Sequence, residues 1–256
     1  MIKHSERDNW RWGGRRRDDL ASGGTTQAAS FSNDTAMTGN TGDTKISLMG
    51  KVNILLVVSL VLGGLGASIG MHVSSLVAMI CWAVSFVILL CMYGFGNRLG
   101  NQSASFAILM MCAFVSFLGV AVGSGNAMYV KQLGYNTVFW CYMGTAGFMT
   151  LCGAVISLFN ADFRRWEAPL YIGLLAMIVV GLVGCFIHFG PPVALLYSGI
   201  GMLLFTGFFL VDLSRYMRSG INSWPEAVDI TINLYLDFVN FVFYLMRFLS
   251  AMKDKD

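Results

Sequence analysis

An all-α integral membrane protein, built as a bundle of seven transmembrane helices, is the architecture to expect of this chain, and three observations lead to it. Of its 256 residues 56% are hydrophobic and only 12% charged, with a mean hydropathy of +0.65; a soluble domain ordinarily carries about 25% charged residues. After residue 51 the apolar residues gather into seven stretches, each near the ~20 residues that cross a bilayer core. Lys and Arg alternate between successive connections, frequent in one and sparse in the next. The net charge of +3 carries little meaning beside that alternation.

In chain order, residues 1–47 read as a disordered polar and basic tail. The run ASGGTTQAASFSNDTAMTGNTGDTK is small and polar and buries too little apolar surface to order itself. No apolar run follows the basic start, so it does not read as a signal peptide. Lys3, Arg7, Arg11, Arg15, Arg16 and Arg17, with Trp10 and Trp12, would suit an anionic membrane surface. Glu6, Asp8, Asp18 and Asp19 among them favour a plain solvated tail. The transmembrane domain occupies 48–250, with spans at about 52–70, 75–96, 103–123, 138–160, 168–189, 191–212 and 228–250, and 251–256 form a C-terminal tail. Gly66-xxx-Gly70 in the first span and Gly119-xxx-Gly123 in the third are spacings at which helices approach closely in lipid. Pro191-Pro192 forces a tight corner between the fifth and sixth. The seventh opens on a capping box, Ser223-Trp224-Pro225-Glu226, with Ser223 as the cap and Glu226 reaching back, and Pro225 in the first turn, where its missing N–H does no harm.

With the N-terminus on the cytoplasmic side, the inner connections hold Arg98, Arg164, Arg165, Arg215 and Arg218, and the outer ones before the C-terminus hold only Lys131. Seven spans then put Arg247, Lys253 and Lys255 at the outer end. Either those three are tolerated there, or the last segment is re-entrant and returns to the inner side.

The residues that stand out are Asp212 and Asp237, one in each of the last two apolar segments. No acidic residue occurs between Asp43 and Asp162, and an ionisable group inside a span costs roughly 2.5–3.5 kcal/mol on insertion scales. Glu226, Asp229, Asn233, Asp237, Asn240, Tyr244 and Arg247 recur every three or four residues and fall on one stripe of the last helix. Such a stripe is either a seam of hydrogen bonds to neighbouring helices or the lining of a hydrated path with Asp237 as its titrating member. Two carboxylates brought close share a proton and switch charge together, which suits a proton sensor or a cation gate. Arg215, one turn after Asp212, and Arg98, at the inner end of the second span, are the candidate counter-charges; both also fit the role of interfacial topology markers. At 1.5 Å per residue Asp212 lies about 10 Å from its helix end and Asp237 about 20 Å from Trp224. The two meet only if the helix ends are offset, tilted or broken.

Residues 201–250, GMLLFTGFFLVDLSRYMRSGINSWPEAVDITINLYLDFVNFVFYLMRFLS, resemble the C-terminal signature of the Bax inhibitor family. The matching parts are Asp-x-Ser after an apolar sixth span, the connection ending in A-V-D-I, and L-Y-L-D-F-V-N-F-V-F. Residues 138–190 are similar in layout to bacterial members, and the resemblance covers 50–250. It implies a bundle with the seventh helix central, and a pH-sensitive calcium leak gated by an aspartate pair falling on Asp212 and Asp237. It also implies an arginine on the second helix, for which Arg98 is the nearest basic residue. Bacterial relatives associate with a membrane-bound quality-control protease, and eukaryotic relatives sit in internal membranes and suppress cell death. Leu213 stands where Thr often follows the aspartate.

A leak and a scaffold that modulates such a protease or a stress response without conducting ions are the two live readings. The partners expected are calcium ions and protons, the lipid bilayer, and other membrane proteins; no nucleic-acid module or nucleotide fingerprint appears. Intramembrane aspartyl proteolysis is disfavoured, because Leu210-Val211-Asp212 and Leu234-Tyr235-Leu236-Asp237 lack its flanking motifs and no proline turn follows. A retinal cofactor fails outright, since no lysine lies between Lys131 and Lys253. The six cysteines form no CxxC pair, and the three histidines are scattered, so no cofactor and no tightly bound metal is expected. The layout favours a bacterial inner membrane.

Overall fold

The computed structural model describes residues 47–94, 103–159, 161–186, 190–219 and 222–253. The tail before Ser47, Arg98 and the residues after Lys253 lie outside the described residues. Seven helices long and apolar enough to cross a membrane follow one another: α1 Leu48–Gly70, α2 Ser75–Gly94, α3 Ala104–Leu133, α4 Tyr135–Phe159, α5 Glu167–Phe186, α6 Pro191–Arg218 and α7 Trp224–Lys253. A single 3-10 turn, Arg164–Trp166, leads into α5. The chain is a multi-pass membrane protein.

Local chemistry sets the ends. Ser47 caps α1 by accepting the Gly50 N–H at 3.2 Å. Gly134, at φ +87, turns the chain from α3 directly into α4. Glu226 N–H is capped by Ser223 Oγ at 3.2 Å, but the Glu226 carboxylate does not complete the box. It accepts the Ser219 hydroxyl at 3.2 Å instead and ties the end of α6 to the start of α7. Three helices outrun their apolar windows. The third continues ten residues past Gly123, because Asn126, only 6% exposed, is satisfied by a reciprocal pair of hydrogen bonds with the Tyr142 hydroxyl. α6 runs on to Arg218, and α7 begins at Trp224.

α1 packs most closely on α3, glycine against glycine. A Cβ on Gly66 would stand 2.8 Å from Ser116 O, and one on Gly119 would stand 2.6 Å from Gly63 O, so neither position admits a side chain at this spacing. α5 lies at the periphery, packed on α6, with only 6% of its most apolar window buried.

α7 is the reverse case. From Trp224 to Ala251 no residue is exposed, and 56% of its most apolar window is buried, against 39% or less for every other helix. It packs along α1, α3, α4 and α6, and α2 reaches it through the Tyr93 hydroxyl. Burial on both the Ile230–Leu234 and Val239–Met246 faces follows from apolar residues that surround its polar stripe. The helix is continuous over 30 residues, about 45 Å at 1.5 Å per residue, so the structure takes the full span rather than the re-entrant alternative. Its two ends are fastened at opposite ends of the bundle: Lys51 Nζ donates to Asn222 O at 3.2 Å and sits 5.2 Å over the Trp224 ring, while Lys253 Nζ donates to Gln132 O at 2.7 Å.

Candidate functional site

Asp237 is the one charged side chain that is buried among the described residues, at 6% exposure. It sits thirteen residues into α7, and its Oδ2 has no hydrogen-bond partner. Asp212, half-buried on α6, lies close enough for the two carboxyl groups to interact electrostatically. Side-chain lean accounts for much of the offset left by counting residues. The Ser219–Glu226 hydrogen bond sets the two helices level at that point. Above it Asp212 stands about 10 Å up α6 and Asp237 about 16 Å up α7. Side chains lean toward the N-terminus of their own helix, so on antiparallel neighbours Asp212 leans up and Asp237 leans down, and the gap narrows from both sides.

Other polar groups gather on the same side of the bundle. Arg215, expected as a counter-charge to Asp212, makes its direct ion pair with Glu167 on α5 at 2.6 Å, both groups about one-third exposed or slightly more. Asp212 remains within its electrostatic reach. Asn233, one turn before Asp237, accepts the Tyr93 hydroxyl at 2.7 Å, and Asp229 lies within hydrogen-bonding reach of the same hydroxyl. Arg98 lies outside the described residues. Asn240 is half-buried with no hydrogen-bond partner among the described residues. Tyr244 belongs to a separate aromatic group: its hydroxyl meets that of Tyr197 at 3.3 Å, its ring stacks on Phe205, and Arg247 lies 4.6 Å over the Tyr197 ring. The stripe read from the sequence therefore divides into an acidic half, Glu226 to Asp237, and an aromatic and basic half, Tyr244 to Arg247.

Glu167 and Tyr93 were not singled out by the sequence reading. Glu167 carried a usable signal, because acids are rare after residue 43 and it is one of them. Tyr93 carried none, since an aromatic at the end of an apolar run looks like any lipid-facing aromatic. Among the described residues no group of three or more His, Cys, Asp or Glu side chains is placed to hold a metal ion.

The sequence profile described as "Inhibitor of apoptosis-promoting Bax1" matches residues 46–254. The chain belongs to the Bax inhibitor family. The match takes in all seven helices and both aspartates. Among its relatives is an uncharacterized protein of Helicobacter pylori, 22% identical over 202 residues, covering 77% of this chain and 84% of the relative. The fission yeast protein named Bax inhibitor 1 is 24% identical over 175 residues, covering 67% of this chain and 61% of its own. A vaccinia virus protein named Golgi anti-apoptotic protein is 28% identical over 149 residues, covering 58% and 60%.

Proposed function

We propose that the protein is a pH-sensitive leak for calcium or a similar cation, gated by Asp212 and Asp237, in a cell membrane with its N-terminus cytoplasmic. The observation that carries this reading is the approach of the two carboxyl groups inside the bundle, one of them with an unpartnered oxygen. Two carboxyl groups brought together are joined only through a shared proton. Without that proton two like charges stand side by side, and at ~4 Å and an effective dielectric of about 20 they repel by about 4 kcal/mol. That is several times thermal energy, enough to move one helix against another. Protons would act as the regulatory ion and the carboxylates as waypoints for the cation, with no enzymatic step. The inner-side reading of the acidic half is supported by the Arg-rich connections at that end, Arg164, Arg165, Arg215 and Arg218.

A second reading is a membrane scaffold that modulates a quality-control protease or a cell-death response without conducting ions; the names Bax inhibitor 1 and Golgi anti-apoptotic protein favour its cell-death half. The two readings differ in what Asp237 must do. In proteoliposomes loaded with a calcium dye, Asp212→Asn and Asp237→Asn are expected to change cation flux and flatten its dependence on pH, because neither variant retains two coupled carboxyls. Flux curves for both variants that overlay the parent would refute the leak and leave the scaffold.

A further inference from the structure

A lateral cleft of about 360 Å³ lies between α1 and α4, which do not pack closely on each other, with α3 and α7 as its floor. Its α1 wall is low in the middle, where Gly63, Gly64 and Ala67 lie between Leu60 and Met71, while Phe139 on α4, Val122 on α3 and Tyr235 on α7 close the other sides. Tyr235, 3% exposed, brings its hydroxyl so near Gly63 that a Cβ there would collide with it. Along α1 the cleft runs from Leu60 to Met71, about 16 Å at 1.5 Å per residue. Half of a ~30 Å hydrocarbon core is about 15 Å. The cleft therefore spans one leaflet, from the end of the bundle that carries Lys253 to the middle.

Its mouth is basic. Lys131, exposed in the last turn of α3 beside the lining residue Val130, has no ion-pair partner among the described residues. Lys253 is held nearby on Gln132 O. No carboxylate lies in the sequence of α1, α3 or α4 to neutralise Lys131, while Lys253 is followed in the sequence by Asp254 and Asp256.

We propose that this cleft is a binding site for one acyl chain of a phospholipid, with the lipid phosphate at the Lys131 end. An open apolar cleft at membrane depth is filled by hydrocarbon rather than water, because its walls offer few polar partners. The length of one leaflet and the charge at the mouth together select a lipid over a peptide helix, which would be about 10–12 Å wide. The site is independent of the ion leak and stands whether or not Asp212 and Asp237 gate a flux.

The test uses the full chain reconstituted in phosphatidylglycerol vesicles doped with a phosphatidylglycerol that carries a photoactivatable diazirine in mid-chain. Adducts are mapped by mass spectrometry. They are expected to concentrate on residues 60–71 and 135–146. Gly64→Leu puts a side chain into the cleft from a lining position where a Cβ meets nothing within 4 Å. It is expected to lower those adducts about tenfold, the effect of displacing roughly two methylenes. Gly147→Leu, equally open but outside the cleft, is expected to leave them unchanged. Adducts spread over α2 and α5 as densely as over the cleft would overturn the proposal. So would adducts indifferent to Gly64→Leu, or a dimer cross-linked through the α1–α4 face in place of lipid.

Discussion

Asp162, in the connection between α4 and α5, shows what a carboxylate does when water reaches it. Its Oδ2 pairs with Arg164 at 2.9 Å and approaches Arg218 at 3.8 Å. Hydrogen bonds from the Arg164 side chain and backbone, with the charges of both arginines, hold its carboxyl down to about 2 from the usual 3.8. A carboxyl depressed in the folded state stabilises it above its unfolded value, and that contribution fades as pH falls from about 3.8 through about 2. Carboxyl carbon shifts of labelled protein are accordingly expected to show Asp162 titrating near pH 2 and unchanged between pH 4 and 7. Asp212 and Asp237 stand apart from this pattern, and the sequence marked them out by rarity, as acids well inside apolar spans. It marked their neighbours poorly: Glu167 is one of the few acids after residue 43, but nothing in the sequence pairs it with Arg215, and Tyr93 reads as a membrane aromatic. Which side chains meet across helices 48 and 140 residues apart in sequence is decided by packing, and packing is not written in the period of any one helix.

At the scale of the helix, the glycine spacings were legible because a missing side chain has only a few uses in lipid. Their partnership was not, since nothing in Gly66-xxx-Gly70 says that Gly119 and Gly123 face it. The contact is tight enough to test. Gly119→Ala places a Cβ 2.6 Å from Gly63 O, and overpacking of that kind costs about 1–3 kcal/mol. Denaturation in mixed micelles is expected to register that loss, while Gly144→Ala, where a Cβ meets nothing within 4 Å, stays within about 0.5 kcal/mol of the parent. Helix ends were harder to read than helix centres. Hydropathy stopped the third span at Gly123, whereas the Asn126–Tyr142 pair carries it to Leu133, because a hydrogen bond supplied by another helix is invisible to a sliding window.

For the whole molecule, seven spans follow directly from composition, and the basic residues give their sense. The uninterrupted α7 places Trp224 and Lys253 at opposite ends of the bundle. In a bacterial host, alkaline phosphatase fused after residue 256 is expected to be active and a green fluorescent protein fused there dark. The opposite pair of signals would invert the proposed orientation. How the spans assemble was less legible, since every one of them is apolar and any could face lipid. What distinguishes α7 is that its polar residues need partners on several sides, and the bundle provides them.

The fastening of α1 to the start of α7, through Lys51 and Asn222, also has a temporal side. Ribosomes extend a chain by about 5–20 residues per second, so α1 waits roughly ten to forty seconds in the membrane before α7 is made. Through that interval the nascent protein exposes the faces that α7 later seals, with Tyr93 already in place and Asn233, which accepts its hydroxyl, not yet synthesised. The acidic seam between α6 and α7 can close only as the final act of biogenesis, and a translation stall before residue 224 would leave an unfinished bundle in the bilayer.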